Sequence, residues 1–293
     1  AGSVLAGGQA GIELPGLHLF SKHLQFLDYR AMAEAAARLG FAGLDLTVRP
    51  GGHVEPDNFK RDLPAAISAI KGAGLECTMM TTSINSTKNP CHRELLELAR
   101  SLGVESYRTG WLKYDYEVEP MALVEHYRGQ LAALAEWNRE LGITGMYQNH
   151  SGEGSFGASI WDIYLAIRDL DPDALGMQFD IRHAVTEGGR KWPDSFRLLR
   201  PHIRSLAIKD FKWARLDGKW QLVNTPMGQG MVDFKRYFRM LKDAGLNYPI
   251  SLHCEYDLGG ANQGKRELTK PASEVLAAIR KDVDTVRSLW AEA

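Results

Sequence analysis

The sequence predicts a single α/β domain folded as a (β/α)8 barrel, and three observations predict it. First, a phrase recurs in which an amphipathic segment ends in Gly, an apolar residue follows, and a strand-like run begins. It reads Arg38-Leu-Gly40-Phe41, Lys71-Gly-Ala-Gly74-Leu75, Ser101-Leu-Gly103-Val104, Glu140-Leu-Gly142-Ile143 and Asp243-Ala-Gly245-Leu246. A left-handed Gly just past a helix, with the next apolar residue folded back on the last turn, is a common helix stop. Second, eight strand candidates alternate with helical patterns at spacings of roughly 25–40 residues, which implies parallel pairing through helical crossovers. Third, the chain has 293 residues, room for eight such units where a barrel of this kind takes about 250.

Residues 1–12 stand apart from that pattern. Ala1-Gly-Ser-Val-Leu-Ala-Gly-Gly-Gln-Ala10 is small, weakly apolar and uncharged, and Gly8-x-Ala10 resembles a small-x-small cleavage site. The stretch reads either as the remnant of an export signal, implying an exported or periplasmic protein, or as a flexible extension of a cytoplasmic one. The barrel is expected over residues 13–293.

The first strand is read at Leu17–Phe20, and Asp28 is placed to cap a helix over Tyr29–Leu39. Strands follow at Gly43–Thr47, Glu76–Thr81 and Glu105–Thr109. Pro120, whose missing N–H is harmless in a first turn, opens the helix Met121–Leu141. The remaining strands are Thr144–Gln148, Gly176–Asp180, Ser205–Lys209 and Ile250–Glu255. Gly228-Gln-Gly230 reads as a turn before a helix over Val232–Ala244, and Ser273 precedes the last helix, Glu274–Trp290. No Gly-rich phosphate loop follows the first strand. That counts against a doubly wound sheet and against a nucleotide cofactor.

Composition narrows the function classes. The chain is 44% hydrophobic and 24% charged, with 35 basic against 36 acidic residues and a net charge of −1. Nucleic-acid binders need a basic footprint that is missing here, and no apolar run is long enough to span a membrane. The cysteines (Cys77, Cys91, Cys254) show no metal-ligand spacing, and their odd number counts against a disulfide framework. Cys77 and Cys254 sit inside apparent strands, as small buried hydrophobes do.

In a barrel the C-terminal strand ends meet over one mouth, where activity is built. Polar residues gather at those predicted ends: Asp45, Thr47 and Arg49 with the following turn to His53, then Thr81, Arg108 and Trp111. Further on come Gln148-Asn149-His150, Asp180 and His183, Lys209-Asp210, and His253-Cys-Glu255. His18, Lys22 and His23 surround the end of the first strand. Strand starts are plainer (Gly43, Thr144, Gly176), with Glu76 and Glu105 the exceptions. Alternation places Gln178 with Asp180, and His253 with Glu255, on shared faces.

A carboxylate beside an imidazole suits metal ligation or proton transfer, so Glu255, Asp180, His183 and Lys209 are the catalytic candidates. The substrate-binding candidates are His18, Arg49, His53, Arg108, Trp111, Gln148, His150, Trp213 and His253. Among them Arg49, His53 and Arg108 suit an anion, and the Trp111 and Trp213 faces suit a sugar ring. Plainer readings stand beside these. An acid in the mouth can simply salt-bridge Lys209 or Arg108, His18 and His53 can be loop residues, and the tryptophans can be rim packing.

At this point the chain resembles the sugar phosphate isomerase/epimerase family with the xylose isomerase-like barrel. The phrases that carry the resemblance are Gly40-Phe-Ala-Gly-Leu-Asp-Leu, Asn149-His150, Phe179-Asp-Ile-Arg-His183, Ile208-Lys-Asp210, Gly228-Gln-Gly-x-x-Asp233 and Glu255, in order over residues 16–290. The resemblance implies a small carbohydrate substrate and a divalent metal (Mn, Mg, Co or Zn). The metal is held by a strand-five Glu, a strand-six Asp, a strand-seven His and a strand-eight Glu. Those positions are occupied here by Gln148, Asp180, Ala207 and Glu255. Two of the four match, so a metal would rest on Asp180, Glu255 and the Gln148 oxygen, with reduced affinity.

The expected activity is therefore that of a sugar isomerase or epimerase-like enzyme moving a proton next to a carbonyl, with Glu255 as base. Gln148 cannot take a proton, which disfavours a two-base epimerase and leaves a keto-sugar lyase or hydratase as the alternative. A non-catalytic sugar-binding barrel is a further reading. An abasic-site endonuclease branch shares the barrel, but near-zero net charge and the altered metal set count against it. Such barrels often pair, which makes a homodimer an expectation.

Overall fold

The computed structural model describes residues 12–293, so the N-terminal stretch read as an export remnant lies outside the described residues. Eight parallel strands close into a barrel: β1 (Leu17–Phe20), β2 (Gly43–Val48), β3 (Glu76–Thr82), β4 (Ser106–Arg108), β5 (Thr144–Gln148), β6 (Leu175–Asp180), β7 (Ile203–Ile208) and β10 (Ile250–Leu252). The order round the barrel is β1-β10-β7-β6-β5-β4-β3-β2. Around it run α1 (Tyr29–Leu39), α2 (Phe59–Gly72), α3 (Pro90–Ser101), α4 (Pro120–Leu141), α5 (Trp161–Ile167), α6 (Ile181–Gly188), α7 (Trp192–Leu199), α8 (Phe234–Asp243) and α9 (Ala272–Ala291). No described helix is long and apolar enough to cross a membrane.

The helix stops act as the sequence pattern predicts. Gly40, Gly74, Gly103, Gly142 and Gly245 all have positive φ, between 64° and 93°. At Gly40 the backbone turns left-handed and its N–H reaches back to the carbonyls of Ala36 and Ala37, while buried Phe41 packs into the core. Asp28 caps α1 by accepting from the Ala31 N–H at 2.8 Å. Ser273 does not cap the last helix. That helix begins at Ala272, two residues before the predicted start, because Pro271 holds the extended entry (φ −56°, ψ 137°) and its carbonyl accepts from the N–H groups of Glu274 (3.0 Å) and Val275 (3.3 Å).

Strand limits shift where side chains capture the backbone. The predicted eighth strand ran to Glu255, but β10 ends at Leu252. The His253 N–H still reaches Ile208 O at 2.9 Å, whereas the Cys254 N–H donates to His23 Nε2 at 2.9 Å, and the ladder stops. Cys254 is buried beyond the strand rather than within it. The seventh strand lies earlier than predicted, which leaves Lys209 just past its end.

An antiparallel hairpin, β8 (Asp210–Leu216) and β9 (Lys219–Thr225), is inserted after β7. Its turn is Asp217-Gly218, both with positive φ (49° and 77°), the Asp-Gly signal of a two-residue hairpin loop. The Asp210 carboxylate ties down its base by accepting from the N–H groups of Phe211 (2.9 Å), Gly230 (2.8 Å) and Val232 (3.2 Å). Only a residue without Cβ fits at 230, since a Cβ there would lie 2.2 Å from Asp210 Oδ1.

The barrel floor, at the strand starts, holds His18, whose Nε2 lies 3.4 Å from Glu76 Oε2. Gly43 makes room for the ring, since a Cβ there would stand 2.8 Å from His18 Cε1 and 2.6 Å from Glu76 O. Above it, buried Asp45 accepts from Thr81 Oγ1 (2.9 Å) and Ser251 Oγ (2.8 Å).

Candidate active site

Strands β6, β7 and β10 are neighbours in the barrel, so their ends deliver Asp180, Lys209 and Glu255 to one place. The Lys209 ammonium lies between the two carboxylates, 3.4 Å from Asp180 Oδ2 and 3.3 Å from Glu255 Oε2. A second ammonium, Lys22, sits on the other Glu255 oxygen at 3.0 Å. It arrives on the 3-10 turn Ser21–Leu24 that follows β1. Asp180 is fully buried and Lys209 nearly so, whereas the Glu255 side chain is 22% exposed. Glu255 is thus the mouth carboxylate that a ligand can touch.

A chain of hydrogen bonds extends from Asp180. A guanidinium only donates, so the 2.8 Å contact of Arg108 Nη1 must fall on the Gln148 oxygen, leaving the Gln148 amide nitrogen to donate to Asp180 Oδ2, also at 2.8 Å. Asn149 holds the Asp180 backbone from both sides, donating to its carbonyl (3.0 Å) and accepting from its N–H (2.9 Å). In the layer below, Gln178 donates to Ser205 Oγ at 3.0 Å.

The histidine tautomers follow from their partners. The Ser151 N–H (3.0 Å) and Arg182 Nη1 (2.9 Å) both converge on His183 Nδ1 and can only donate. That nitrogen is therefore bare, and Nε2–H carries the proton 3.7 Å from Asp180 Oδ2 with no hydrogen-bond partner among the described residues. His150 is the reverse case. Its Nδ1 faces the Ser151 carbonyl at 2.8 Å, which leaves the Nε2 lone pair free. His253 donates from Nε2 to Ser251 Oγ (3.1 Å), whose own proton is on Asp45. The rings of Trp111, His150 and His183 form a continuous wall, with centroids 4.4 and 4.0 Å apart.

Burial and charge set the protonation states. Burial drives the Glu255 carboxyl upward, but Lys209 and Lys22 outweigh it and hold it well below the ordinary value. Asp180 is raised, because complete burial outweighs the pull of Lys209 and Arg182. Burial and then Lys209 lower His150 to about 3, and burial lowers His253 to about 3, so both rings are neutral. His183 is lowered too, by burial and then by Lys209. The site is a carboxylate held ionised among neutral imidazoles and fixed cations, an arrangement suited to accepting a proton from carbon beside a group that becomes negative.

As Gln148, Asp180 and Glu255 are arranged here, their donor set does not fit a divalent cation. The Gln148 oxygen is committed to Arg108, both carboxylates face an ammonium, and Ala207 is a buried methyl with nothing to donate. Among the described residues no group of three or more His, Cys, Asp and Glu is arranged to hold a metal.

Three sequence-predicted residues do not join the mouth. His18 is at the barrel floor, because it lies at the start of β1, level with Gly43 and beside Glu76 at the starts of the next two strands. His53 is buried in the loop after β2, where its N–H donates to Thr47 Oγ1 (2.9 Å), Nδ1 meets Ser21 Oγ (3.1 Å) and its carbonyl accepts from Tyr29 (3.0 Å). Trp213, 43% exposed on β8, lines an outer groove with Trp192 and Arg236. Arg49, Arg108, Trp111, Gln148, His150 and His253 do border the cluster. Sequence reasoning did not select Lys22, Ser151 or Arg182. Lys22 was visible as a cation after the first strand, but only the 3-10 turn brings it to Glu255.

Comparison with known proteins extends this picture. Residues 33–281 match the family described as the xylose isomerase-like TIM barrel. Inosose dehydratase of Lacticaseibacillus casei is 26% identical over 143 residues, 45% of this chain and 47% of that protein, so the chain spans about half the length of the curated relatives it matches. A D-psicose 3-epimerase with D-tagatose from Clostridium cellulolyticum H10 superposes with a TM-score of 0.71 at 12% identity, over 94% of this chain and 99% of the other. A xylose isomerase-like TIM barrel protein from Mycobacterium smegmatis in complex with magnesium gives 0.60 at 16% identity, over 89% of each chain. At these identities the structural likeness is one of fold.

Proposed function

The chain belongs to the xylose isomerase-like TIM barrel family, and from that premise we propose that it is a sugar isomerase or epimerase-like enzyme that moves a proton beside a carbonyl. One observation carries the reading: Glu255, the partly open carboxylate of the mouth, is held ionised between the ammonium groups of Lys22 and Lys209. A Glu255 oxygen takes a proton from the carbon next to the carbonyl. The C–H electron pair becomes a C=C bond, and the carbonyl pair moves to oxygen, giving an enediolate. Lys209, with the Nε2–H of His183, supplies the donors that stabilise that oxygen. Returning that proton to the former carbonyl carbon, while the hydroxyl on the carbon that lost it passes its own proton to the enediolate oxygen and becomes the new carbonyl, completes an aldose–ketose isomerisation.

Lys209 fills the role that a metal has elsewhere: its ammonium is the positive charge at the point where Asp180 and Glu255 converge. Gln148 is neutral and already hydrogen-bonded at both ends of its amide, which supports one-base chemistry. The match to inosose dehydratase favours a second reading, in which the same proton abstraction is followed by loss of the hydroxyl β to the carbonyl.

The test is proton NMR in D2O with a panel of aldoses, ketoses and keto-inositols, including their carboxylate and phosphate-ester forms. Deuterium should enter at the carbon beside the carbonyl, together with an isomeric product, or with loss of water under the second reading. Glu255→Gln should abolish the exchange. No exchange with any member of the panel, or exchange that survives that substitution, overturns the proposal.

A further inference from the structure

Three cations from separate strand ends crowd one aromatic ring. The guanidinium carbons of Arg49 and Arg108 stand 5.4 and 5.6 Å from the Phe20 ring centroid, and Lys22 Nζ stands 5.3 Å from it. Lys22 is matched by Glu255. The two guanidiniums are not matched: among the described residues no carboxylate pairs with either. Asp45 and Glu255 are the acids whose fields reach both, but Asp45 is fully buried with its oxygens accepting from Thr81 and Ser251, and Glu255 is paired with Lys22 and Lys209. Arg108 is 3% exposed, donates once, to Gln148, and keeps an Nε with no partner. Its guanidinium also lies 4.7 Å from the centroid of Trp111, whose Nε1–H is likewise unpartnered.

Two like charges gathered on one apolar ring, with donors left over, repel each other until an anion joins them. Planar guanidiniums match the oxygens of a carboxylate or phosphate, often two at a time. We propose that Arg49 and Arg108 form an oxyanion subsite beside the reacting centre, so that the substrate is an acidic sugar, bearing a carboxylate or a phosphate ester. This rests on the reading of the mouth as a sugar-converting site. It adds what that reading lacks, a handle that fixes which end of the sugar enters, with Trp111 as the wall for the ring.

Isothermal titration at low ionic strength with D-glucuronate, D-glucose 6-phosphate and neutral D-glucose tests it. At least one charged sugar should bind about tenfold or more tighter than D-glucose, the effect of one or two charge-assisted hydrogen bonds. The stronger of the two charged sugars tells carboxylate from phosphate. Arg108→Gln should remove the preference. Arg49→Gln, at a half-buried position where folding is less at stake, should remove most of it. Arg100→Gln, at the exposed last turn of α3 beside Gly142, which precedes the start of β5, should leave it intact. Equal affinity for all three sugars, no binding of either charged sugar, or a preference that persists in both mouth variants overturns the inference. Glu255→Gln should keep the anion preference while losing deuterium exchange. Anion preference without exchange in the native chain defeats only the proton-transfer reading. Exchange on sugars bound without regard to charge defeats only this one.

Discussion

Lys22 and Glu255 are 233 positions apart in the chain, yet their side chains meet at 3.0 Å. With Lys209 on the other oxygen, this contact keeps Glu255 ionised despite its surroundings. A base with a lowered pKa is lost only as pH falls through that lowered value. The kcat/KM profile should therefore hold its plateau down to the ordinary glutamate value of about 4.3 and fall only below it. Lys22→Met removes one of the two opposing charges, so its acid limb should move to higher pH. An unmoved limb would show that Lys22 does not govern the base.

Lys209 is expected to act on turnover more than on binding. Lys209→Met should lower kcat by roughly a hundredfold or more, the scale of losing one preorganised donor to a developing oxyanion, with a smaller change in KM. Steady-state kinetics on the substrate found by deuterium exchange measures both, and full turnover in the variant would exclude the lysine from the chemistry.

The lysine-for-metal arrangement has a direct consequence. Dialysis of the native protein against a chelator should leave its rate unchanged, and elemental analysis after Mn2+ loading should find no stoichiometric metal. The combined variant Gln148→Glu, Ala207→His, Lys209→Met restores anionic and imidazole donors around Asp180 and Glu255. It should gain Mn2+ that the native chain does not hold. Native protein retaining Mn2+ through dialysis, and losing it in Asp180→Ala, would contradict the donor-set argument.

The hairpin base has its own test. In Gly230→Ala the added methyl meets Asp210 Oδ1 and the Phe211 carbonyl, 2.2 and 2.3 Å from where the Cβ must lie. Rigid backbone and a carboxylate with three N–H partners cannot give way cheaply. A destabilisation of about 1–3 kcal/mol is expected, read from chemical denaturation. Because Asp210 adjoins Lys209, a loss of turnover larger than the loss of folded protein should accompany it.

Much of the site was legible in the strand ends. Asp180, Lys209 and Glu255 were picked out because polar residues at the ends of adjacent parallel strands share one mouth. His18 misled, since it sits near the start of β1, level with the first residue of β2, and so belongs to the floor. Trp213 misled because the β8–β9 hairpin carries it away to an outer groove, although Asp217-Gly218 was a readable turn signal.

The sequence by itself determined the architecture. Glycine stops, capping residues and apolar periodicity are local, so each helix–strand junction could be read without its neighbours, and all five glycines adopt the left-handed turn that the pattern requires. It also placed Gln148 and Ala207 where the family resemblance implies a Glu and a His as metal ligands. Only the tertiary structure decided what replaces that set. The placement of the Lys209 ammonium between Asp180 and Glu255, of Lys22 against Glu255, and of two arginines on Phe20 that pair with no carboxylate among the described residues depends on barrel closure and on one 3-10 turn. These are contacts between residues far apart in the chain, and no local pattern encodes them.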